Sequence, residues 1–260
     1  MLGAHIGPRA RATIEQADVV FAAASDPLVE LWLQQMHADV RSLQPLYSEG
    51  KPRHDTYREM VEAMLAEVRA GRRVCGAFYG HPGVFALVPH RAIAQAREEG
   101  FEAVMEPGVS AEDCLYADLG IDPGMHGCQH FEASQFMFYR RRVDPSACLV
   151  LWQVGVAGDR STRRFSTGRA YRQLLVERLA EDYPLDHPVT LYEAAALPIS
   201  EPRIEQLPLS GLPDARLDLQ TTLVLPPAMP LQRDEAMLER IAALDAAAGP
   251  ALPLQGQAQT

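Results

Sequence analysis

Lysine is nearly absent from this sequence: Lys51 is the only one among 24 basic residues, so arginine carries almost all of the positive charge. The basic residues are outnumbered by 34 acidic ones, and a formal net charge of -10 lacks the cationic footprint that binding along a phosphate backbone requires. Nucleic acid is thereby disfavoured as the main partner. Cysteine is scarce as well. Cys75, Cys114, Cys128 and Cys148 stand far apart, without the C-x-x-C spacing of zinc sites or redox pairs, and read as free thiols in a reducing cytosol. No apolar run approaches the ~20 residues of a membrane-spanning helix. Met1 to Pro8 is short, bears a glycine and is followed by Arg9 and Arg11, so it does not read as a signal peptide. What is present, 47% hydrophobic and 22% charged residues over 260 positions, is the composition of a globular chain able to bury a sizeable core.

From Asp55 onward the pattern is helix, strand, helix, strand, loop, helix. Tyr57, Met60, Val61, Met64, Leu65 and Val68 form one amphipathic stripe, with Asp55 placed to cap the helix and Gly71 to end it. The apolar run Val74 to Phe78 has the length of a buried parallel strand and ends in the loop Tyr79-Gly80-His81-Pro82-Gly83. A helix over His90 to Glu99, closed by Gly100, leads to a second expected strand at Phe101 to Met105. Ser110 and Asp113 then mark a capping-box start for a helix through Leu119. Gly120 to Gly127 reads as a linker. Beyond it, strands are expected at Leu149 to Val154, Val189 to Glu193, Arg203 to Leu207 and Leu219 to Leu225, with helices at Arg169 to Tyr183 and Asp234 to Ala247 and a disordered polar tail. No internal repeat is evident.

Four loops fall at strand ends: Tyr79 to Gly83, Pro107 to Asp113, Gln153-Val154-Gly155 and Glu193-Ala194-Ala195. Loops at the C-terminal edges of an α/β sheet surround the crevice where such folds take ligands. The string Phe78-Tyr79-Gly80-His81-Pro82-Gly83-Val84-Phe85, followed by Pro107-Gly108-Val109-Ser110-Ala111-Glu112-Asp113-Cys114-Leu115, resembles the tetrapyrrole-methylase superfamily. Its histidine-containing form, with Ser110-Ala111-Glu112-Asp113-Cys114 after the second turn, is closest to the peptide-methylating branch, the borosin α-N-methyltransferases. The similarity runs from about Gly3 to Pro227. It implies an α/β fold of two domains, 1–119 and 120–227, with S-adenosyl-L-methionine in the cleft between them, followed by a helix and flexible tail at 228–260.

On this resemblance Tyr79, His81, Val84, Phe85, Ser110, Ala111, Gln153, Glu193, Ala194, Thr221 and Thr222 bind the cofactor, and no metal is required. Tyr47, Arg53, Tyr57 and Tyr79 match the residues that line the methyl-transfer site. Their chemistry suits that task. A peptide nitrogen is a poor nucleophile because its lone pair is delocalised into the carbonyl, so methylation requires an imidate-like state with charge on the carbonyl oxygen. Arg53 is the expected oxyanion donor. Tyr57 is the expected base, its pKa lowered by the neighbouring cation, with Tyr47 and Tyr79 positioning the amide.

Two departures from the family pattern stand out. Relatives begin with a strand feeding a glycine-containing loop, whereas Met1 to Ile6 starts almost at the loop, so either the start is too late or the sheet edge is built differently. Fused borosin enzymes carry an apolar core peptide at their C-terminus, and Gly249 to Thr260, with Pro250 and Pro253, does not resemble one. A separate precursor peptide is thus the expected substrate and a homodimer the implied assembly. The alternatives are a tetrapyrrole methylase using Arg140, Arg141 and Arg142 for carboxylates, and a catalytically silent peptide-binding homologue.

Overall fold

The computed structural model describes residues 3–24, 26–48 and 50–248. Residues through Ala228 form one compact unit, and the chain from Met229 is a second. The first unit opens with α1 (Pro8–Gln16), β1 (Val19–Ala23), α2 (Pro27–Met36), β2 (Val40–Ser42), α3 (Arg53–Arg69), β3 (Val74–Phe78) and α4 (Leu87–Glu98). Its three strands pair in parallel in the order β2-β1-β3. The central strand, Val-Val-Phe-Ala-Ala, is buried at every position because helices cover both of its faces. Strand alternation sends Val19, Phe21 and Ala23 towards Met60, Val61, Met64 and Leu65 of α3, while Val20 and Ala22 meet Ile14 of α1 and Leu33 of α2.

The chain continues through α5 (Ala111–Leu119), α6 (Pro123–His126), β4 (Cys128–Glu132), α7 (Ala133–Phe138), β5 (Cys148–Trp152), α8 (Arg169–Leu179), β6 (Pro188–Glu193), β7 (Arg203–Pro208) and β8 (Thr222–Leu225). These strands form a mixed sheet of order β4-β5-β8-β6-β7, in which only β4 and β5 are parallel neighbours. One face carries the larger core, where Leu149, Leu151, Leu191, Leu223 and Leu225 meet Phe136 of α7 and Leu175, Val176 and Leu179 of α8. Burying each such side chain contributes ~1.5–3 kcal/mol. The other face, with Val150, Trp152, Tyr192 and Val224, receives Leu115, Tyr116 and Leu119 of α5. That helix, grouped with the first 119 residues by the sequence reading, thus packs on the second sheet. In the second unit, α9 (Glu235–Ala248) leaves Met237, Leu238, Ile241 and Leu244 exposed.

Several expectations are corrected. Phe101 to Met105 is not a strand: Arg97 turns back to donate from Nε to the Ala103 carbonyl at 2.9 Å, and no ladder forms there. β3 falls where expected but is only half-buried, with Gly76 exposed. Asp55 does not cap α3. The helix begins two residues earlier, at Arg53, whose backbone N–H donates to the Thr162 carbonyl at 3.0 Å, and Asp55 lies in the first turn, where a carboxylate favours the helix N-terminus. Helix α8 ends at Leu179 rather than Tyr183. β8 starts at Thr222 because Thr221 closes a turn onto Asp218. The expected linker at Gly120 to Gly127 contains the short helix α6. α1, β1, α2, β2, β4 and α7 went unread. The tail from Gly249 lies outside the described residues.

Candidate functional site

β5 and β6 both run antiparallel to β8, so the ends of β5 and β6 and the start of β8 share one edge of the second sheet. Gln153, Glu193, Ala194, Thr221 and Thr222 stand along that edge. Gln153 takes a left-handed backbone, φ 58°, which turns the chain out of β5, and the next residue's N–H donates to the Thr221 carbonyl at 3.1 Å. Glu193 Oε1 accepts from Thr221 Oγ1 at 2.6 Å and from Arg203 Nη1 at 2.8 Å. Thr221 Oγ1 in turn accepts from the Asp218 N–H at 2.7 Å. Gly155 has to be glycine, because a Cβ there would sit 2.2 Å from the Asp218 carbonyl oxygen. Thr221 and Thr222 are buried and act as the floor of this edge.

At the first sheet the loops after β3 and before α5 press together. A Cβ on Gly108 would lie 2.5 Å from the Gly80 carbonyl oxygen, so the close approach requires glycine. His81 Nδ1 accepts from the Gly83 N–H at 2.9 Å, and His90 Nε2 pairs with the Gly83 carbonyl at 2.9 Å. An imidazole accepting at Nδ1 carries its proton on Nε2, so His81 both shapes the loop and presents a donor. Ser110 spends its hydroxyl on the α5 capping box with Asp113, which leaves loop geometry as its part in the site. Phe85 has a left-handed φ of 50°, unusual for a bulky residue. Its half-exposed ring lies 5.3 Å from that of Trp152, joining the loop to the end of β5.

Tyr47, Arg53, Tyr57 and Tyr79 do converge. The rings of Tyr47 and Tyr57 meet edge to face at 6.5 Å, and Tyr57, Tyr79 and Arg53 all act electrostatically on the Tyr47 phenol. Tyr79 exposes 64% of its surface, yet burial raises its pKa and Tyr57 adds to the rise. Tyr47 is pushed far above the ordinary phenol range, by burial first and then by Tyr57 and Tyr79, while Arg53 pulls the other way. For Tyr47, then, the neighbouring cation does not produce an easily ionised phenol; desolvation wins. Arg53 is not a surface charge: its side chain is only 21% exposed and lies 3.7 Å from Asp159, a carboxylate 2% exposed.

Residues missed by the sequence reading complete the surroundings. Trp152 Nε1 donates to His130 Nδ1 at 3.1 Å, which leaves His130 Nε2 to donate to Tyr116 Oη at 2.8 Å and Tyr116 to donate to Glu112 at 3.0 Å. This chain satisfies each member and backs the ring that touches Phe85. Asp159 and Thr162 lie in the polar run Asp159-Arg160-Ser161-Thr162-Arg163-Arg164 soon after β5, a position that could have been flagged as loop chemistry near a strand end. A hollow of about 740 Å³ between α3 and α4 is lined by His54, Arg58, Glu62, Arg91 and neighbours and holds none of the expected site residues. Arg140, Arg141 and Arg142 are exposed, with Arg141 over the rings of Phe131 and Tyr139. Among the described residues no helix is long and apolar enough to cross a membrane.

The family model for tetrapyrrole (corrin/porphyrin) methylases matches residues 3–211. A methyltransferase and type I borosin cyclic peptide precursor from Coprinopsis marcescibilis is 43% identical over 232 residues, covering 87% of this chain and 59% of that protein. The omphalotin A methyltransferase and precursor of Omphalotus olearius is 41% identical over 220 residues, covering 82% of this chain and 52% of that protein. The chain thus spans about half the length of these curated relatives. Among solved structures, a uroporphyrin-III-C-methyltransferase from Thermus thermophilus superposes with a TM-score of 0.60 at 21% identity, covering 86% of each chain. A cobalt precorrin-4 methyltransferase gives 0.59 at 17% identity, covering 85% of this chain and 88% of that one. At such identities these two similarities concern the fold.

Proposed function

Because this chain belongs to the tetrapyrrole methylase family, we propose that it is an S-adenosylmethionine-dependent methyltransferase acting on backbone amides of a ribosomally made peptide. The observation that carries this reading is the convergence of Tyr47, Arg53, Tyr57 and Tyr79 beside the glycine-held loops. The relatives named as cyclic peptide precursors, one of them of borosin type, support the peptide as substrate.

The residues suit a nucleoside-bearing sulfonium. Phe85 offers a flat, half-exposed apolar face for a base, and Glu193, with Oε1 engaged by Thr221 and Arg203, has Oε2 for a hydroxyl donor. His81, Val84, Ser110, Ala111 and Gln153 supply the loops that enclose the remainder. When bound, the cofactor supplies an activated methyl group. Everything else falls to the protein. Arg53 stabilises the charge that moves onto the amide oxygen, and Tyr57 takes the amide proton at Oη, freeing the nitrogen lone pair for attack. Tyr47 and Tyr79, both held protonated by their raised pKa, orient the amide by donating hydrogen bonds. The cleft between the two sheets is the proposed cofactor site, and a homodimer the proposed assembly.

The substrate peptide is proposed to be a separate chain, whereas the relatives are named as fusions of enzyme and precursor. The test offers a co-encoded or relative-derived precursor peptide in trans and locates methyl groups by tandem mass spectrometry, on that peptide and on the protein's own C-terminal residues. Methylation confined to side chains would sink the backbone-amide reading. Methylation confined to the protein's own chain would overturn only the separate-substrate part.

A further inference from the structure

We propose that the loop Asp159–Arg164 is an arginine holder, in which Asp159 is a positioning residue that fixes the Arg53 guanidinium for its oxyanion task. The proposal rests on the function inferred above for Arg53, but its geometry stands independently. Thr162 adopts a left-handed φ of 55°, one of three such non-glycine residues among those described, the others being Phe85 and Gln153 at the candidate site. In that conformation its carbonyl accepts two hydrogen bonds from the same residue 109 positions earlier, from the Arg53 backbone N–H at 3.0 Å and from Nε at 3.3 Å. Backbone strain maintained where a single arginine is gripped twice points to a positional requirement.

Asp159 completes the grip. Its carboxylate is 2% exposed and lies 3.7 Å from Arg53 Nη2. It is itself immobilised: Oδ1 accepts from the Ser161 N–H at 3.0 Å and from Ser161 Oγ at 2.6 Å, and Oδ2 accepts from the Arg164 N–H at 3.0 Å. The loop therefore occupies the Nε and Nη2 side of the guanidinium, and no hydrogen bond among the described residues engages Nη1. A guanidinium fixed along one edge presents its other edge in a set direction. Such preorganisation is what an oxyanion donor requires, because N–H groups that must reorient as charge develops lose most of their advantage.

A purely structural tie would lower thermal stability and cofactor affinity without a specific loss of turnover. The holder predicts a different pattern. Asp159→Asn should cut kcat by roughly 10- to 100-fold, the scale of a misplaced catalytic group, while the dissociation constant for S-adenosylhomocysteine by calorimetry stays within about twofold. Placed on Arg53→Lys, the same change should add little, since both act through one guanidinium. Unchanged kcat, or a loss explained entirely by weaker cofactor binding, would overturn the proposal. A readout independent of activity covers the case in which Asp159→Asn does not fold. In wild-type protein the Arg53 Nε–H resonance, assigned by its absence in Arg53→Lys, should exchange with water about tenfold or more slowly relative to exposed arginines. Exchange at the exposed rate would refute the holder. Absence of methylation by wild type, with a protected Nε–H, would instead refute the inferred function and leave the holder standing.

Discussion

The two edges that face the candidate site are built on opposite principles. On the second sheet, Glu193, Thr221, Arg203 and Asp218 form a closed polar network in which neighbouring side chains and backbone groups fix one another, on a floor of buried threonines. On the first, three tyrosines crowd together with Arg53 as a nearby cation, and two of the phenols are driven away from ionisation by burial. A satisfied network is suited to holding a ligand in one pose. Protonated phenols beside a guanidinium are suited to orienting a reacting group and to stabilising charge that develops on it. The comparison separates binding from chemistry and predicts that mutations on the two edges fail in different ways.

The largest effect should fall on the first edge. Arg53→Ala is expected to lower turnover by roughly 100- to 1,000-fold, the cost of one oxyanion donor, with cofactor affinity nearly unchanged, and Tyr57→Phe should behave similarly. Saturation kinetics with quantitative mass spectrometry measures both, and full activity in either variant would remove that residue from the chemistry. Next is Gly108→Ala, where the new methyl group collides with the Gly80 carbonyl and the two loops must part. A loss of about tenfold or more in cofactor affinity by titration calorimetry is expected, because displacements of about an ångström are costly at such sites. On the second edge, Glu193→Gln should weaken cofactor binding about tenfold, from the loss of a charge-assisted hydrogen bond, while turnover at saturating cofactor persists. If Glu193→Gln instead abolished turnover and spared binding, the division between the edges would collapse.

The smallest expected effect is a pH dependence of stability. Asp159 is held below its ordinary carboxyl range although burial pushes the other way, because Ser161, the Arg164 N–H and Arg53 favour the charged form. With a folded-state pKa below the unfolded value of about 3.9, its contribution is complete above about pH 4 and is lost as pH falls through the folded value. Urea unfolding of wild type and Asp159→Asn between neutral pH and about pH 3 should therefore show the stability gap closing only at the acid end. A constant gap would mean that the carboxylate contributes through packing rather than charge.

Much of this site was legible locally. The Ser110 and Asp113 capping box, the α3 stripe and the glycine loops after β3 are patterns of a few residues, set by backbone geometry and helical period. The buried strand β1 was harder to read because, covered on both faces, Val-Val-Phe-Ala-Ala shows no alternation. Trp152 read as one more strand residue, and only its contacts with Phe85 and His130 bring it to the site.

The sequence by itself determined which chemistry is available, because an arginine, three tyrosines, a histidine loop and a carboxylate stand at helix starts and strand ends wherever the chain's periodicities put them. Tertiary structure alone decided their state. Where α3 begins depends on a carbonyl 109 residues away. The direction of the Tyr47 shift depends on a contest between desolvation and Arg53 that only the surrounding density of protein resolves. Caps and periods are properties of neighbouring residues, whereas burial and charge pairing are sums over everything that folding brings within a few ångströms.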